Sequence, residues 1–125
     1  MILDTNALSA VADNDLPVVR IFGQATSIAL PVIVLGEYRF GIVQSRHRDG
    51  YEEWLGRMIR AVRVLPIDEG TSSYYAEIRT ELKKIGKPIP SNDLWIAALC
   101  RQHRLPILSR DGHFDAVAGL KRVGW

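Results

Sequence analysis

Short hydrophobic runs alternate along the chain with longer stretches in which hydrophobic residues recur every three or four positions. The short runs predict five strands, at residues 2–3, 28–30, 62–65, 106–108 and 121–123. The stretches of helical spacing predict six helices, which begin near Thr5, Pro17, Pro31, Tyr51, Asp68 and Ser91. Because parallel neighbouring strands need crossover connections, this alternation predicts a three-layer α/β/α fold, with a short central parallel sheet and helices on both faces.

The residues between these elements indicate one domain. Glycine and proline occur singly at predicted element boundaries, and no repeat, linker or low-complexity segment divides the chain. Thr5 or Asn6 is expected to cap the first helix, and Ser91 or Asn92 the last. Since 125 residues is the usual size of one domain with a single core, we expect residues 1–125 to fold as one unit.

The composition is that of a folded globular protein. Hydrophobic residues make up 47% of the chain and charged residues 24%, which excludes the disordered and fibrous classes. The single cysteine, Cys100, cannot form an intrachain disulfide. No basic leader or signal-length apolar run is present, and no stretch approaches the roughly 18 to 20 apolar residues of a membrane span. We therefore expect a cytoplasmic protein without a membrane segment.

Basic residues form two clusters, although the formal net charge is only +2. The first cluster consists of Arg46, His47, Arg48, Arg57, Arg60 and Arg63, and the second of Lys83, Lys84 and Lys87. Each cluster fits two interpretations, a solvated helix face or a surface that contacts the phosphates of a nucleic acid. The residues that we expect to contact such phosphates are Arg46, Arg48 and Arg57.

Four acidic residues stand where a binding site would lie in such a fold. Asp4 ends the first predicted strand, Asp93 opens the last predicted helix, and Asp111 follows the fourth strand. Ligands of open α/β sheets bind at the carboxyl ends of the strands, so these three acids are expected to face one edge. Glu37 has Phe40 and other apolar residues three and four positions away, which predicts a carboxylate on an apolar helix face that needs a cation or another partner.

Each acid taken singly also has a structural explanation. Asp4 can cap a helix, Asp93 can complement a helix dipole, Asp111 can begin a turn with the glycine after it, and Glu37 can pair with an arginine. The structural explanation needs four independent coincidences at the positions where a site is expected, whereas one shared site accounts for all four acids. The sequence therefore favours a cluster of carboxylates, with hard oxygen ligands that suit Mg²⁺ or Mn²⁺ rather than zinc.

Four motifs carry a resemblance to a known family. They are Leu3-Asp4-Thr5-Asn6, residues 31–37 (Pro-Val-Ile-Val-Leu-Gly-Glu) in the predicted third helix, residues 92–98 (Asn-Asp-Leu-Trp-Ile-Ala-Ala), and residues 108–114 (Leu-Ser-Arg-Asp-Gly-His-Phe). In content, order and spacing the chain resembles the PIN-domain ribonucleases of the VapC toxin type over essentially its whole length. One departure is Ser109, which stands where the family more often has threonine.

The resemblance implies a PIN-like fold with a metal-dependent catalytic site. The residues that it implies as catalytic residues and as ligands of Mg²⁺ or Mn²⁺ are Asp4, Glu37, Asp93 and Asp111. Supporting or substrate-contacting positions are Asn6, Asn92, Ser109, Arg110 and Asp115, although Asp115 also fits a surface acid. His113 is expected to be structural, and the three histidines are not expected to form a zinc site.

The resemblance also implies an activity and partners. It implies an endoribonuclease that acts as the toxin of a type II toxin-antitoxin system, with RNA as substrate and a small antitoxin protein as inhibitor. It further implies a homodimer, with DNA contacted only indirectly through the antitoxin. A stretch such as residues 32–40 or 55–59 is a candidate surface for an antitoxin helix, although core packing explains the same residues.

Two other classes remain as alternatives. A phosphorylation-switched receiver domain has similar length and layers, but the sequence lacks its acidic pair after the first strand and its lysine after the last. A catalytically silent RNA-binding module on the same fold is also possible in principle, although such a module is expected to have lost one of the four acids. Nucleotide binding is disfavoured because no glycine-rich loop follows a strand.

Overall fold

A computed structural model describes all residues from 1 to 125. The strands are β1 Ile2–Leu3, β2 Ala29–Pro31, β3 Arg63–Leu65, β4 Ile107–Leu108 and β5 Arg122–Val123. The helices are α1 Thr5–Ala12, α2 Leu16–Gln24, α3 Val32–Val43, α4 Arg48–Ala61, α5 Glu69–Lys84 and α6 Ser91–His103. A 3₁₀ helix, Gly112–Ala116, follows β4. The predicted three-layer α/β/α architecture is confirmed.

The five strands form one parallel sheet in the order β3-β2-β1-β4-β5. The chain adds β2 and β3 on one side of β1 and then returns to add β4 and β5 on the other side. The switch in strand order therefore falls between β1 and β4, which is where open α/β sheets bind ligands. The register pairs Leu3 with Leu108, so the residues that follow these two strands, Asp4 and Ser109, are neighbours.

Apolar packing covers both faces of this sheet. Consecutive residues in β1 and β4 are fully buried, although their side chains point to opposite faces, which is characteristic of a parallel sheet enclosed by helices. Cys100 on α6 is part of the same core at 1% exposure, and burial raises the pKa of its thiol to about 12. No helix of the chain combines the length and the apolar character that crossing a bilayer would need.

The ends of three helices differ from the sequence predictions. Asp4 caps α1 by accepting a hydrogen bond from the backbone N–H of Thr5, so neither Thr5 nor Asn6 is the cap. The residue before α6 is Pro90, which has no side chain able to cap, and Ser91 and Asn92 already belong to the helix. Helix α4 begins at Arg48 rather than near Tyr51, because the chain enters the helix before its apolar pattern starts.

The buried face of α3 also differs from the prediction. Its buried residues are Val34, Leu35, Tyr38 and Ile42, which share one side at helical spacing, whereas Phe40 is 70% exposed. The prediction that Phe40 and Glu37 share an apolar core face is therefore wrong. Helix α3 is apolar on nearly all sides, so the hydrophobic pattern alone did not identify which side faces the sheet.

Candidate metal-binding active site

Asp4 lies at the carboxyl end of β1 and is held by three hydrogen-bond donors. Its Oδ1 accepts from the backbone N–H of Thr5 at 2.8 Å. Its Oδ2 accepts from Asn6 Nδ2 at 3.2 Å and from Ser109 Oγ at 2.6 Å. Asp4 is only 5% exposed and Ser109 is fully buried, so this carboxylate has a fixed orientation at the edge where β1 and β4 end.

Ser109 and Asn6 extend this network to the segment after β4. Ser109 Oγ accepts from the backbone N–H of Asp111 at 2.9 Å, and Asn6 Nδ2 lies 3.3 Å from the same oxygen. Asn6 Oδ1 accepts from the backbone N–H of Arg110 at 3.2 Å. Two residues expected to support the site thus tie α1 to the loop that carries Asp111.

Asp93, Asp111 and His113 form the most compact group of possible ligands. Asp93 lies in the first turn of α6, and Asp111 caps the 3₁₀ helix by accepting from the backbone N–H of His113 at 2.9 Å. Nδ1 of His113 lies 3.0 Å from Asp93 Oδ2 and 3.1 Å from Asp111 Oδ1. One ligand atom of each residue lies within 4.8 Å of the other two.

Glu37 reaches the same cluster from α3. The hydroxyl of Thr5 donates to Glu37 Oε1 at 3.1 Å, and the side chain of Asn92 lies close enough to lower the pKa of this carboxylate in part. Glu37 lies on an exposed side of the helix. Its place near the site is therefore not due to an apolar environment on the buried face of the helix. No arginine lies within ion-pair distance of it, which removes the alternative that Glu37 is a structural ion-pair partner.

Burial, with a smaller contribution from neighbouring negative charges, raises the pKa of three of these acids. Burial raises the pKa of Asp4, and the charge of Asp111 adds to this effect, against hydrogen bonds from Ser109 and other donors. Burial also raises the pKa of Glu37, as do the charges of Asp4 and Asp93. For Asp93, burial and the charges of Asp111 and Asp4 raise the pKa, whereas the bond to His113 opposes the rise.

The donor set suits a divalent cation. None of the four acids pairs with lysine or arginine, and His113 is the one basic side chain in contact with them. Carboxylates that converge without a basic partner repel each other, and a bound cation relieves this repulsion. Because the ligands are mostly oxygens, the residues fit Mg²⁺ or Mn²⁺.

Two predicted substrate or supporting residues are directed elsewhere. Arg110 Nη2 lies 2.8 Å from Asp15 Oδ2, and its guanidinium stacks 4.6 Å from the ring centroid of Trp125. Asp115 accepts two hydrogen bonds from Arg122, both at 2.8 Å. The structure therefore does not join Asp115 to the acidic cluster, and it agrees with the interpretation of Asp115 as a surface acid. Arg110 contributes its backbone N–H to the network, not its charge.

Two residues of the cluster were missed by the sequence analysis. His113 was expected to be structural, but its ring contacts Asp93 and Asp111. The signal that could have found it is its position two residues after Asp111, in a turn that brings the side chain back to the capping acid. Thr5, expected only as a cap, instead connects Glu37 to the N-terminus of α1.

Comparisons with known proteins agree with this fold. A profile of the PIN domain matches residues 1–120. The chain is 33% identical to toxin FitB of Neisseria gonorrhoeae, over 93% of this chain and 91% of FitB. It is 30% identical to ribonuclease VapC5 of Mycobacterium tuberculosis, over 77% of this chain and 73% of VapC5.

Solved structures give the same result. FitAcB from Neisseria gonorrhoeae has a TM-score of 0.85 at 30% identity, covering 97% of this chain and 94% of that one. VapBC2 from Rickettsia felis, bound to a DNA fragment from its promoter, has a TM-score of 0.87 at 22% identity, covering 99% and 97%. The chain belongs to the PIN-domain family, and its relatives are VapC ribonucleases and FitB toxins of toxin-antitoxin systems. The receiver-domain alternative does not agree with this membership.

The raised pKa values of Asp4, Glu37 and Asp93 predict a pH dependence of the metal-free protein. An acid whose folded-state pKa exceeds its unfolded value stabilises the fold below the unfolded pKa, which is about 4, and this stability is lost as pH rises through the raised pKa. In thermal melts with chelator, the contribution of these acids to the Tm should therefore fall as the pH rises from about 4 towards 7. At pH 7, Glu37→Gln should melt at the same temperature as wild type or at a higher one.

The control for this prediction is Glu53→Gln, because Glu53 is exposed and pairs with Arg57 away from the cluster. Saturating Mn²⁺ should stabilise wild type by mass action, by about 2.7 kcal/mol at a hundredfold excess over Kd, and should stabilise Glu37→Gln much less. A clear loss of Tm in Glu37→Gln without metal, together with a full response to Mn²⁺, would show that Glu37 is a structural partner and not a ligand.

Proposed function

We propose that this protein is a metal-dependent endoribonuclease and the toxin of a type II toxin-antitoxin pair. The observation that carries the proposal is that Asp4, Glu37, Asp93 and Asp111 lie close enough for their charges to act on one another, and that none of them has a lysine or arginine partner. Membership in a family of ribonucleases supports RNA as the substrate. The cofactor proposed is Mg²⁺ or Mn²⁺.

The roles of the acids follow from their surroundings. Asp4 is the fixed ligand, because three donors hold its orientation and little of it is exposed. Glu37 and Asp93 reach the cluster from separate helices and complete the oxygen set. A divalent cation held by these residues would lower the pKa of a coordinated water and neutralise negative charge on the phosphate. Asp93 and Asp111 are the acids positioned to orient the attacking water, and Asn6 and Ser109 act by positioning other residues.

Two of the three arginines expected to contact RNA phosphates are paired within their own helix. Arg48 pairs with Glu52 at 3.0 Å and Arg57 with Glu53 at 3.1 Å, so each charge already has an intrahelical partner. Lys87, in contrast, shares the lining of a depression of about 300 Å³ with His113, the residue that contacts Asp93 and Asp111. We therefore assign the main phosphate contact near the site to Lys87, and a further contact to Arg46, the one of the three expected arginines that has no carboxylate partner.

The partner proposed is the antitoxin. Val32, Phe40 and Val43 are 45%, 70% and 57% exposed and lie along one side of α3. An exposed apolar row of this kind is typical of a protein interaction surface, and it lies beside Glu37. Of the two stretches considered from sequence, residues 55–59 contribute Leu55 and Met58 to the core, so only the α3 surface is available.

Homodimer formation stays a prediction, which light scattering of the purified chain tests. Contact with DNA is expected through the antitoxin alone.

Loss of one ligand should abolish RNA cleavage while the fold survives. Asp93→Asn should lower the cleavage rate by about 100-fold or more, since even indirect partners of metal ligands typically contribute 10- to 100-fold. The matched control is Asp49→Asn, an exposed acid on α4. Cleavage is measured on a labelled RNA with Mg²⁺, with Mn²⁺ and with excess chelator. Full activity in chelator or in Asp93→Asn would contradict the metal mechanism, and RNA binding without cleavage by wild type would favour the silent RNA-binding module.

Lys87→Ala should weaken RNA binding through loss of one phosphate contact. The slope of log K against log salt should become shallower by about 0.7 for a single strand. Lys121→Ala is the control, because Lys121 lines a different cavity with Arg104 and Pro106 at the opposite edge of the sheet. Binding is measured with catalytically silent Asp93→Asn as the background, from low to moderate salt. Equal slopes for both lysine variants would show that Lys87 belongs to a solvated face.

Phe40→Ser should separate partner binding from folding. Because Phe40 is 70% exposed, its replacement should leave the Tm close to that of wild type but weaken the complex with a co-expressed antitoxin about tenfold or more. Leu16→Ser is the control, since Leu16 is 65% exposed on another helix. Affinity is measured by calorimetry on the purified proteins. An unchanged affinity in Phe40→Ser would exclude the α3 surface from the interface.

A further inference from the structure

His113 occupies a position in the acidic cluster that a structural role does not require. Its side chain is half exposed, so it contributes little to the core. Its backbone N–H is bound to Asp111 Oδ1 at 2.9 Å, and this contact fixes where the side chain begins. The ring then places Nδ1 between two carboxylates, 3.0 Å from Asp93 Oδ2 and 3.1 Å from Asp111 Oδ1.

We propose that His113 is a metal ligand through Nδ1, and that it gives this site a preference for Mn²⁺ and related transition metals over Mg²⁺. The proposal rests on the proposed function, in which Asp93 and Asp111 bind the metal. It adds a nitrogen to a site that sequence analysis treated as formed by oxygens alone.

The distances around Nδ1 fit shared coordination. Two ligand atoms at right angles on an octahedral ion, each about 2.1 Å from it, lie about 3.0 Å apart. The separations from Nδ1 to Asp93 Oδ2 and Asp111 Oδ1 match this value. One N–H proton cannot point at both oxygens at once, so hydrogen bonding accounts fully for only one of the two contacts. A cation shared by all three atoms accounts for both.

The chemistry of the donor set gives the metal preference. Mg²⁺ prefers oxygen ligands and keeps several waters, whereas an imidazole nitrogen suits transition metals. The other two histidines cannot substitute, because His47 precedes α4 and His103 ends α6 at the opposite end from Asp93. A site with Asp4 and Glu37 but without His113 would therefore discriminate less between the two kinds of metal.

The test measures metal binding and not activity. Calorimetry gives Kd for Mn²⁺ and for Mg²⁺ with wild type, His113→Gln and the control His47→Gln, and pulsed EPR of bound Mn²⁺ detects a ligand nitrogen. We expect His113→Gln to weaken Mn²⁺ binding about tenfold or more while Mg²⁺ binding changes by less than about threefold. We also expect a nitrogen coupling in wild type and His47→Gln that is lost in His113→Gln. Melting curves in chelator check that each variant is folded.

The outcomes separate this proposal from the proposed function. If wild-type Mn²⁺ shows no nitrogen coupling, or if His113→Gln weakens both metals equally, then His113 is not a selective ligand, and the carboxylate site still stands. If Asp93→Asn binds Mn²⁺ as tightly as wild type, then the carboxylate site itself is wrong. Retained coupling in His113→Gln would assign the nitrogen to another residue and would overturn the proposal for His113.

Discussion

The site depends on the parallel pairing of β1 with β4. This pairing sets Leu3 opposite Leu108, and the next residue of each strand, Asp4 and Ser109, then meets across the sheet edge through a 2.6 Å hydrogen bond. Both strands are only two residues long, so the buried residues of the core are followed directly by the residues of the site. A one-residue shift in register would move Ser109 to the other face and leave the buried carboxylate of Asp4 without its shortest hydrogen bond.

The position of the four acids also has an energetic consequence. Asp4 lies at the N-terminus of α1 and Asp93 in the first turn of α6, where the partial positive charge of a helix end favours a carboxylate. Burial and mutual repulsion act in the opposite direction and raise the pKa of both acids. Helix ends and hydrogen bonds from Ser109 and Asn6 thus hold groups that would otherwise separate. Part of the stability of the fold therefore offsets the repulsion between these carboxylates.

Much of the fold and the acidic site was predictable from sequence, and the failures have physical causes. Short apolar runs located all five strands, and acids at strand ends and helix starts located Asp4, Asp93 and Asp111. Glu37 was selected for a wrong reason, because α3 is apolar on nearly all sides and its pattern does not show which side is buried. The contacts of His113 with Asp93 and Asp111 were not predicted, because they depend on the turn after Asp111, which periodicity does not describe. The pairing of Arg48 and Arg57 with glutamates one helical turn away was readable from spacing but was not used.

The single cysteine gives the fold a chemical property of its own. Cys100 is packed in the core on α6, and burial raises its thiol pKa to about 12, so almost none of it is thiolate at neutral pH. Alkylating reagents and peroxide therefore have no reactive sulfhydryl to attack while the protein is folded. A cysteine introduced at an exposed position would consequently be the one site modified by a maleimide, so a fluorophore or spin label can be attached without first removing the native residue.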